Sequence, residues 1–150
     1  MSNDESPKLY HTGALAPRKY GTDAGIDLVT TEQTTVPAKG AALIPTGNRI
    51  EVPEGTFLLI TARSSTFKNF GLMVFLGIID EGYTGELMAS VYNPGDTDVV
   101  INVGDRVCQV LVLPNLLSGV APQLVEMIRG HERGENGFGS TGRSSQLRAV

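Results

Sequence analysis

Residues 87–113 read Leu87-Met-Ala-Ser-Val-Tyr-Asn-Pro-Gly-Asp-Thr-Asp-Val-Val-Ile-Asn-Val-Gly-Asp-Arg-Val-Cys-Gln-Val-Leu-Val-Leu113, three apolar runs cut by two turn signals. The runs are Leu87–Tyr92, Asp98–Val103 and Val107–Leu113, and the turns are Asn93-Pro-Gly-Asp96 and Val103-Gly-Asp105. Proline presets one backbone angle and glycine opens left-handed conformations, so such clusters reverse the chain. The β-branched and aromatic residues between them suit a half-buried pleated surface. Short strands at this spacing predict a sandwich or barrel. Alternation within Leu87–Tyr92 is only partial, so the pattern sets the number of strands rather than their register.

The same texture extends upstream. Ala41–Pro45, Thr56–Thr61 and Leu72–Leu76 are further strand candidates, with Val52-Pro-Glu-Gly55 as a turn. One stretch departs from it: Ser64-Ser-Thr-Phe-Lys-Asn-Phe70 is followed by Gly71. Ser64 or Ser65 can cap a short helix there that the glycine closes, the one substantial helix expected. The fold class is therefore all-β with one short helix. From Gly130 onward the chain turns glycine-rich with one large aromatic, Phe138, and the plain reading is a disordered tail. Gly137–Gly142 matches G-x-G-x-x-G in form, but a dinucleotide site needs a strand before it and a βαβ unit around it. The division expected is a β domain over 1–129, with 1–7 disordered, and a mobile arm over 130–150.

Bulk properties exclude several functions. The 150 residues fit one domain that needs no staples to form a core. With 41% hydrophobic and 19% charged residues the chain reads as globular rather than disordered. A net charge of −4 offers no basic excess for nucleic-acid backbones, so no nucleic-acid partner is expected. Cys108 is the single cysteine and sits among valines and leucines, which suits a reduced compartment and a small buried apolar role. His11 and His131 are far apart, so a zinc deaminase lacks its ligands. The N-terminal Met1–Lys8 is polar and lacks the apolar core of a signal peptide, and no apolar run reaches the roughly 20 residues that span a bilayer. These features predict a soluble, cytoplasmic protein with no membrane partner, in a host cell's cytoplasm if the source is viral.

Five segments carry polar chemistry: Ala24-Gly-Ile-Asp-Leu28, Arg63-Ser-Ser65, Gly77-Ile-Ile-Asp-Glu-Gly-Tyr-Thr-Gly85, Gly104-Asp-Arg-Val-Cys-Gln109 and Arg133-Gly-Glu-Asn-Gly-Phe-Gly-Ser-Thr-Gly142. Each alone reads as a solvated turn or a helix start. Together, in this order and spacing, they resemble the five motifs of the trimeric dUTPase family, from about Lys8 to Arg143. The resemblance implies a distorted jelly-roll or β-barrel subunit with a flexible glycine-rich C-terminal arm. It also implies a homotrimer whose active sites lie at subunit boundaries. The implied reaction is hydrolysis of dUTP to dUMP and pyrophosphate with magnesium.

By the same resemblance Asp80 is the general base, activating a water that attacks the α-phosphorus. A phosphoanhydride needs a water held in line and a group to accept its proton, and a carboxylate suits both tasks. Tyr83 resembles the tyrosine that packs on deoxyribose and leaves no room for a 2′-hydroxyl; a core or rim tyrosine is the competing reading. Arg63, Ser64, Ser65, Gln109 and Arg133 are the expected phosphate contacts, since a guanidinium fork matches phosphate oxygens and hydroxyl or amide groups add neutral donors. Ile79 lies beside uracil, and Phe138 closes over the ring. Gly139 and Ser140 line the phosphates in the manner of an anion nest. Mg2+ is held mainly by phosphate oxygens, with Asp27 assisting through water or else serving as a structural partner for an arginine. Arg106 is read as pairing with Asp105. Val74 departs from relatives that carry asparagine there, leaving uracil to the backbone between Phe75 and Ile79.

Two rivals follow. A deaminase of the same fold acting on dCTP would release ammonia, and a nucleotide-binding regulatory module would release no pyrophosphate. The Tyr83 and Phe138 motifs favour the first reading over the deaminase, and Asp80 with Arg133 favours it over pure binding.

Overall fold

The structure, a computed structural model, describes residues 6–144. Along the chain run β1 (His11–Thr12), β2 (Ile26–Leu28), β3 (Thr34–Val36), β4 (Ala41–Pro45), β5 (Arg49–Ile50) and β6 (Thr56–Ala62). After the helix α1 (Thr66–Phe70) come β7 (Met73–Val74), β8 (Gly77–Ile79), β9 (Met88–Tyr92), β10 (Val99–Ile101) and β11 (Cys108–Pro114). The described chain is thus β with one short helix, as its turn-punctuated apolar runs predict.

Every pairing is antiparallel. The largest sheet has the order β2-β11-β6-β8, a second has β4-β9-β7, and β1-β5 and β10-β3 are two-stranded. Among the described residues these ladders stay separate, so hydrogen bonding does not close a barrel. The core lies between the sheets, with Leu58, Ile60, Cys108 and Val110 from the first and Ile44, Ala89 and Val91 from the second. Successive side chains along a strand alternate faces. Phe57, Leu59 and Thr61 therefore face away from the core that receives Leu58 and Ile60.

Two expected strands, Asp98–Val103 and Leu72–Leu76, are much shorter than their apolar runs. Asp98 leaves the ladder because its carboxylate accepts the Ala38 N–H at 2.9 Å. Asn102 leaves because its N–H donates to the Asp105 carboxylate at 2.8 Å. Leu72 is buried directly after the helix stop, and only Met73 and Val74 pair with β9. The helix ends as predicted, at Gly71 with φ 67° and its N–H on the Phe67 carbonyl. Its start differs. Ser65 holds the N-cap position without a side-chain cap bond, and Thr66 takes over the anchoring.

Contacts divide the chain into two compact units, one ending at Ser118 and one beginning at Gly119. The second contains the expected arm together with 119–129, and its described residues form turns without helix or strand. Positions 1–5 and 145–150, covered by the expected N-terminal disorder and the end of the arm, lie outside the described residues. No helix among the described residues is long and apolar enough to cross a membrane.

Candidate functional site

On the outward face of the first sheet, the register sets Gln109 opposite Asp27 on one side and Thr61 on the other. Arg63 follows β6 immediately and completes the group. Its Nε meets Asp27 Oδ2 at 2.9 Å, and its Nη1 donates to the Arg106 carbonyl at 2.8 Å. Arg106 Nη1 reaches the same Asp27 oxygen at 3.3 Å. Asp27 is therefore an arginine partner. Arg106 pairs with Asp27 rather than with Asp105, whose carboxylate is engaged in the Asn102–Asp105 turn. Gln109 Nε2 donates to the Ala62 carbonyl at 3.0 Å. A Cβ on Gly25 would collide with Gln109 Oε1, so glycine there makes room for the glutamine.

The Arg63-Ser-Ser65 bend is fastened from beneath by Thr66. Its hydroxyl accepts the Arg63 N–H at 2.9 Å and donates to the Val107 carbonyl at 2.8 Å, fully buried. Thr66→Val keeps the shape and removes both bonds, leaving a buried carbonyl and N–H unpaired. A loss of about 1–3 kcal/mol is expected, read as a lower urea midpoint with an unchanged slope. Cys108 lies beneath the same group, and burial foremost, with Asp27 adding, pushes its thiol up to about 12. It remains a neutral apolar residue at physiological pH.

A cavity of about 400 Å³ opens over Asp27, Arg63 and Gln109, lined also by Arg18, Lys19 and Arg106. Its four cations face two acids, Asp23 and Asp27, which leaves an excess of positive charge beside donor groups. Such a set suits phosphate oxygens. Arg18 and Lys19 were not read as site residues; the basic pair six positions ahead of Ala24 was the available signal. Thr66 was missed as well, because its partner Val107 lies 41 residues away.

Asp80 stands elsewhere. It follows β8 in an exposed turn closed by the Tyr83 N–H on the Asp80 carbonyl at 3.1 Å, with Gly82 at φ 89°. Ile79 packs partly against the core. Tyr83 is 46% exposed, and its hydroxyl donates to the Glu86 carbonyl at 3.2 Å. Ile79 pairs with Leu58, and Arg63 lies five residues along from Leu58, so Asp80, the next residue after Ile79, stands at least roughly 17 Å along β6 from Arg63 at about 3.3 Å per residue. Val74 packs partly against the core.

In the second unit, Arg133 Nε donates to the Asn136 carbonyl at 2.7 Å. The Ser140 N–H meets the Gly137 carbonyl at 3.1 Å. Phe138 is fully exposed with φ 43°, and Gly139 follows at φ 103°. Left-handed backbone at an aromatic residue is uncommon. Among the described residues no group of three His, Cys, Asp or Glu side chains is placed to hold a metal.

Residues 11–142 match the dUTPase family. The chain is 40% identical over 142 residues to the deoxyuridine 5′-triphosphate nucleotidohydrolase of Paramecium bursaria Chlorella virus 1, covering 95% of this chain and 99% of that one. It is 34% identical over 145 residues to the Kluyveromyces lactis enzyme of the same name, covering 96% and 97%. Among solved structures, the Staphylococcus bacteriophage 80alpha dUTPase with dUpNHpp superimposes with a TM-score of 0.80 at 27% identity, over 91% of this chain and 99% of that one. A phage phi11 dUTPase described with a structural Mg(II) ion matches at a TM-score of 0.68 and 22% identity, over 84% and 99%, a likeness of fold.

Proposed function

This chain belongs to the dUTPase family and hydrolyses dUTP to dUMP and pyrophosphate, and we propose that it does so where the Asp80 turn of one subunit meets the Asp27–Arg63–Gln109 pocket of another. The observation that carries this reading is the separation of roughly 17 Å between the two groups along β6. A base that far from the phosphate donors cannot act on the phosphate they hold, and a second copy supplies the missing half.

An unpartnered apolar row supports a homotrimer. Leu111, Leu59 and Ile78 lie side by side on the outward face, and Ile78 is 62% exposed. Covering side chains of this kind contributes about 1.5–3 kcal/mol each, which favours association. Closed rings of identical subunits bring one chain's motif to its neighbour's pocket without any new sequence.

In this site Asp80 orients the attacking water and accepts its proton as the water oxygen bonds to the α-phosphorus and pyrophosphate leaves. Arg63 and Gln109 hold phosphate oxygens, with Ser64 and Ser65 presenting hydroxyl and N–H donors at the bend. Arm residues Arg133, Gly139 and Ser140 add donors, and Phe138 covers the uracil. Mg2+, when bound, would offset the charge of the triphosphate, with Asp27 the side chain that would reach it through water. The protein's donor set fits an ion that arrives with the substrate: Asp27 is already engaged by two arginines and leaves contact to be made through water.

Tyr83 excludes ribonucleotides by occupying the volume of the 2′-hydroxyl. Pyrophosphate release is measured from dUTP, dCTP, dTTP and UTP with magnesium, for the wild type and for Tyr83→Ala. The wild type is expected to prefer dUTP. In Tyr83→Ala the dUTP:UTP efficiency ratio narrows by about tenfold or more, at least the worth of one methylene-sized contact. An unchanged ratio places sugar selection elsewhere, and ammonia release from dCTP would return the deaminase reading.

A further inference from the structure

The turn bearing Asp80 and Tyr83 is exposed, yet its two limbs are tied to a segment whose residues have no part in the chemistry above. On the descending limb, Arg49 Nη1 donates to the Thr84 carbonyl at 2.7 Å. The Gly47 N–H donates to the Glu86 carboxylate at 2.7 Å, and the Leu87 N–H to the Asn48 carbonyl at 2.8 Å. Thr46 Oγ1, buried, donates to the Leu87 carbonyl at 2.6 Å. On the ascending limb, the Glu81 carboxylate accepts the Gly55 N–H at 3.1 Å.

The segment is itself held rigidly. Asn48 is fully buried, and its Nδ2 donates to the carbonyls of Thr12 and Ala14 at 3.0 and 3.1 Å. Arg49 pairs with Thr12 in the short β1–β5 ladder. Gly47 holds φ 66° and so gives its N–H an orientation that other residues adopt only under strain. Arg49 and Glu81 also line, with Tyr83, a cavity of about 640 Å³. They stand on opposite limbs of the turn and are both exposed.

We propose that Arg49 is a positioning residue for the hydrolysis, its guanidinium fixing the Thr84 carbonyl so that Asp80 and Tyr83 are presented to the neighbouring subunit's pocket in one geometry, with Glu81 as its counterpart on the other limb. This rests on the roles assigned above to Asp80 and Tyr83. Small errors in the placement of reacting groups cost rate heavily, so a clamp of this kind acts on turnover and on sugar selection together. Because Arg49 is exposed, its loss has little effect on the fold.

Arg49→Met removes the donor and keeps the apolar stem, whereas Arg49→Lys restores one donor on a stem of similar length. Turnover and KM are measured for dUTP and UTP in the assembled enzyme, alongside the melting midpoint. Expected for Arg49→Met is a fall in turnover of about tenfold, a smaller change in KM for dUTP and a narrowed dUTP:UTP ratio. The midpoint stays within about 3 °C of wild type. Arg49→Lys recovers part of the lost turnover, and Glu81→Ala deepens the defect of Arg49→Met. Wild-type turnover and ratio in Arg49→Met overturn the proposal. So does a lysine variant as impaired as the methionine one, or a lower midpoint with the ratio intact. Asp80→Asn and Tyr83→Ala run in the same series: if these too behave as wild type, the reading of the turn itself fails, and if they respond while Arg49→Met does not, only the clamp fails.

Discussion

Asp80→Asn is expected to lose turnover by about 10²–10⁴ while still binding nucleotide. Asparagine has nearly the shape of aspartate and cannot take up a proton, so the change isolates the base. The turn does not depend on the carboxylate. It is closed through the Asp80 carbonyl and the Tyr83 N–H, and by the ties on Thr84, Glu86 and Glu81. Among the described residues the carboxylate itself has no hydrogen-bond or ion-pair partner. Removing its charge therefore disturbs no contact of the fold, and the melting midpoint is expected to stay where it is. The assay pairs single-turnover hydrolysis of dUTP with calorimetric titration of dUpNHpp. A dead variant that also fails to bind would indicate a damaged site rather than a missing base. Near-normal turnover would remove Asp80 from the mechanism.

Local signals were the readable part of this fold. Ala41–Pro45 was legible because five apolar or small residues stand between Gly40 and the Thr46-Gly47 turn, and β4 has those bounds. The helix was legible from Ser65 and Gly71, since a left-handed stop is a backbone requirement that glycine meets at little cost. The short strands β1, β2, β3, β5 and β8 were not legible, because no periodicity can develop over two or three residues, whereas β7 and β10 lie inside the longer apolar runs Leu72–Leu76 and Asp98–Val103. β2 and β8 belong to this class, and they carry Asp27 and the approach to Asp80. The ion pairs were hidden for another reason. Arg106 has Asp105 beside it in sequence, but its partner Asp27 is 79 residues away and becomes a neighbour only when β2 and β11 pair. Long-range register, rather than composition, decides which charges meet. Motif order nevertheless pointed to the dUTPase family, which the relatives bear out, because phosphate binding and water activation each need particular side chains wherever the fold places them.

The same register leads to the second large effect, recovery of activity from two inactive proteins. Asp80→Asn lacks the base, and Arg63→Met lacks the guanidinium at the opposite end of β6. Arg63→Met leaves Asp27 paired with Arg106, so no buried charge is orphaned and the subunit is expected to fold. Each variant alone should be nearly inactive. Refolded together in equal amounts, the chains mix at random. If every site takes its Asp80 from one subunit and its Arg63 from another, about a quarter of sites receive both intact residues, one-half times one-half. If a site is built from a single chain, no combination restores it, since every chain lacks one of the two. Pyrophosphate release at about a quarter of the wild-type rate is therefore expected, and distinguishable affinity tags on the two variants verify that mixed assemblies formed. The spacing along β6 makes the single-chain outcome hard to reconcile with chemistry, because roughly 17 Å exceeds the reach of a carboxylate acting on phosphate held by Arg63. Activity at the floor of the separate variants, in verified mixed assemblies, would refute the shared site and leave the family assignment standing.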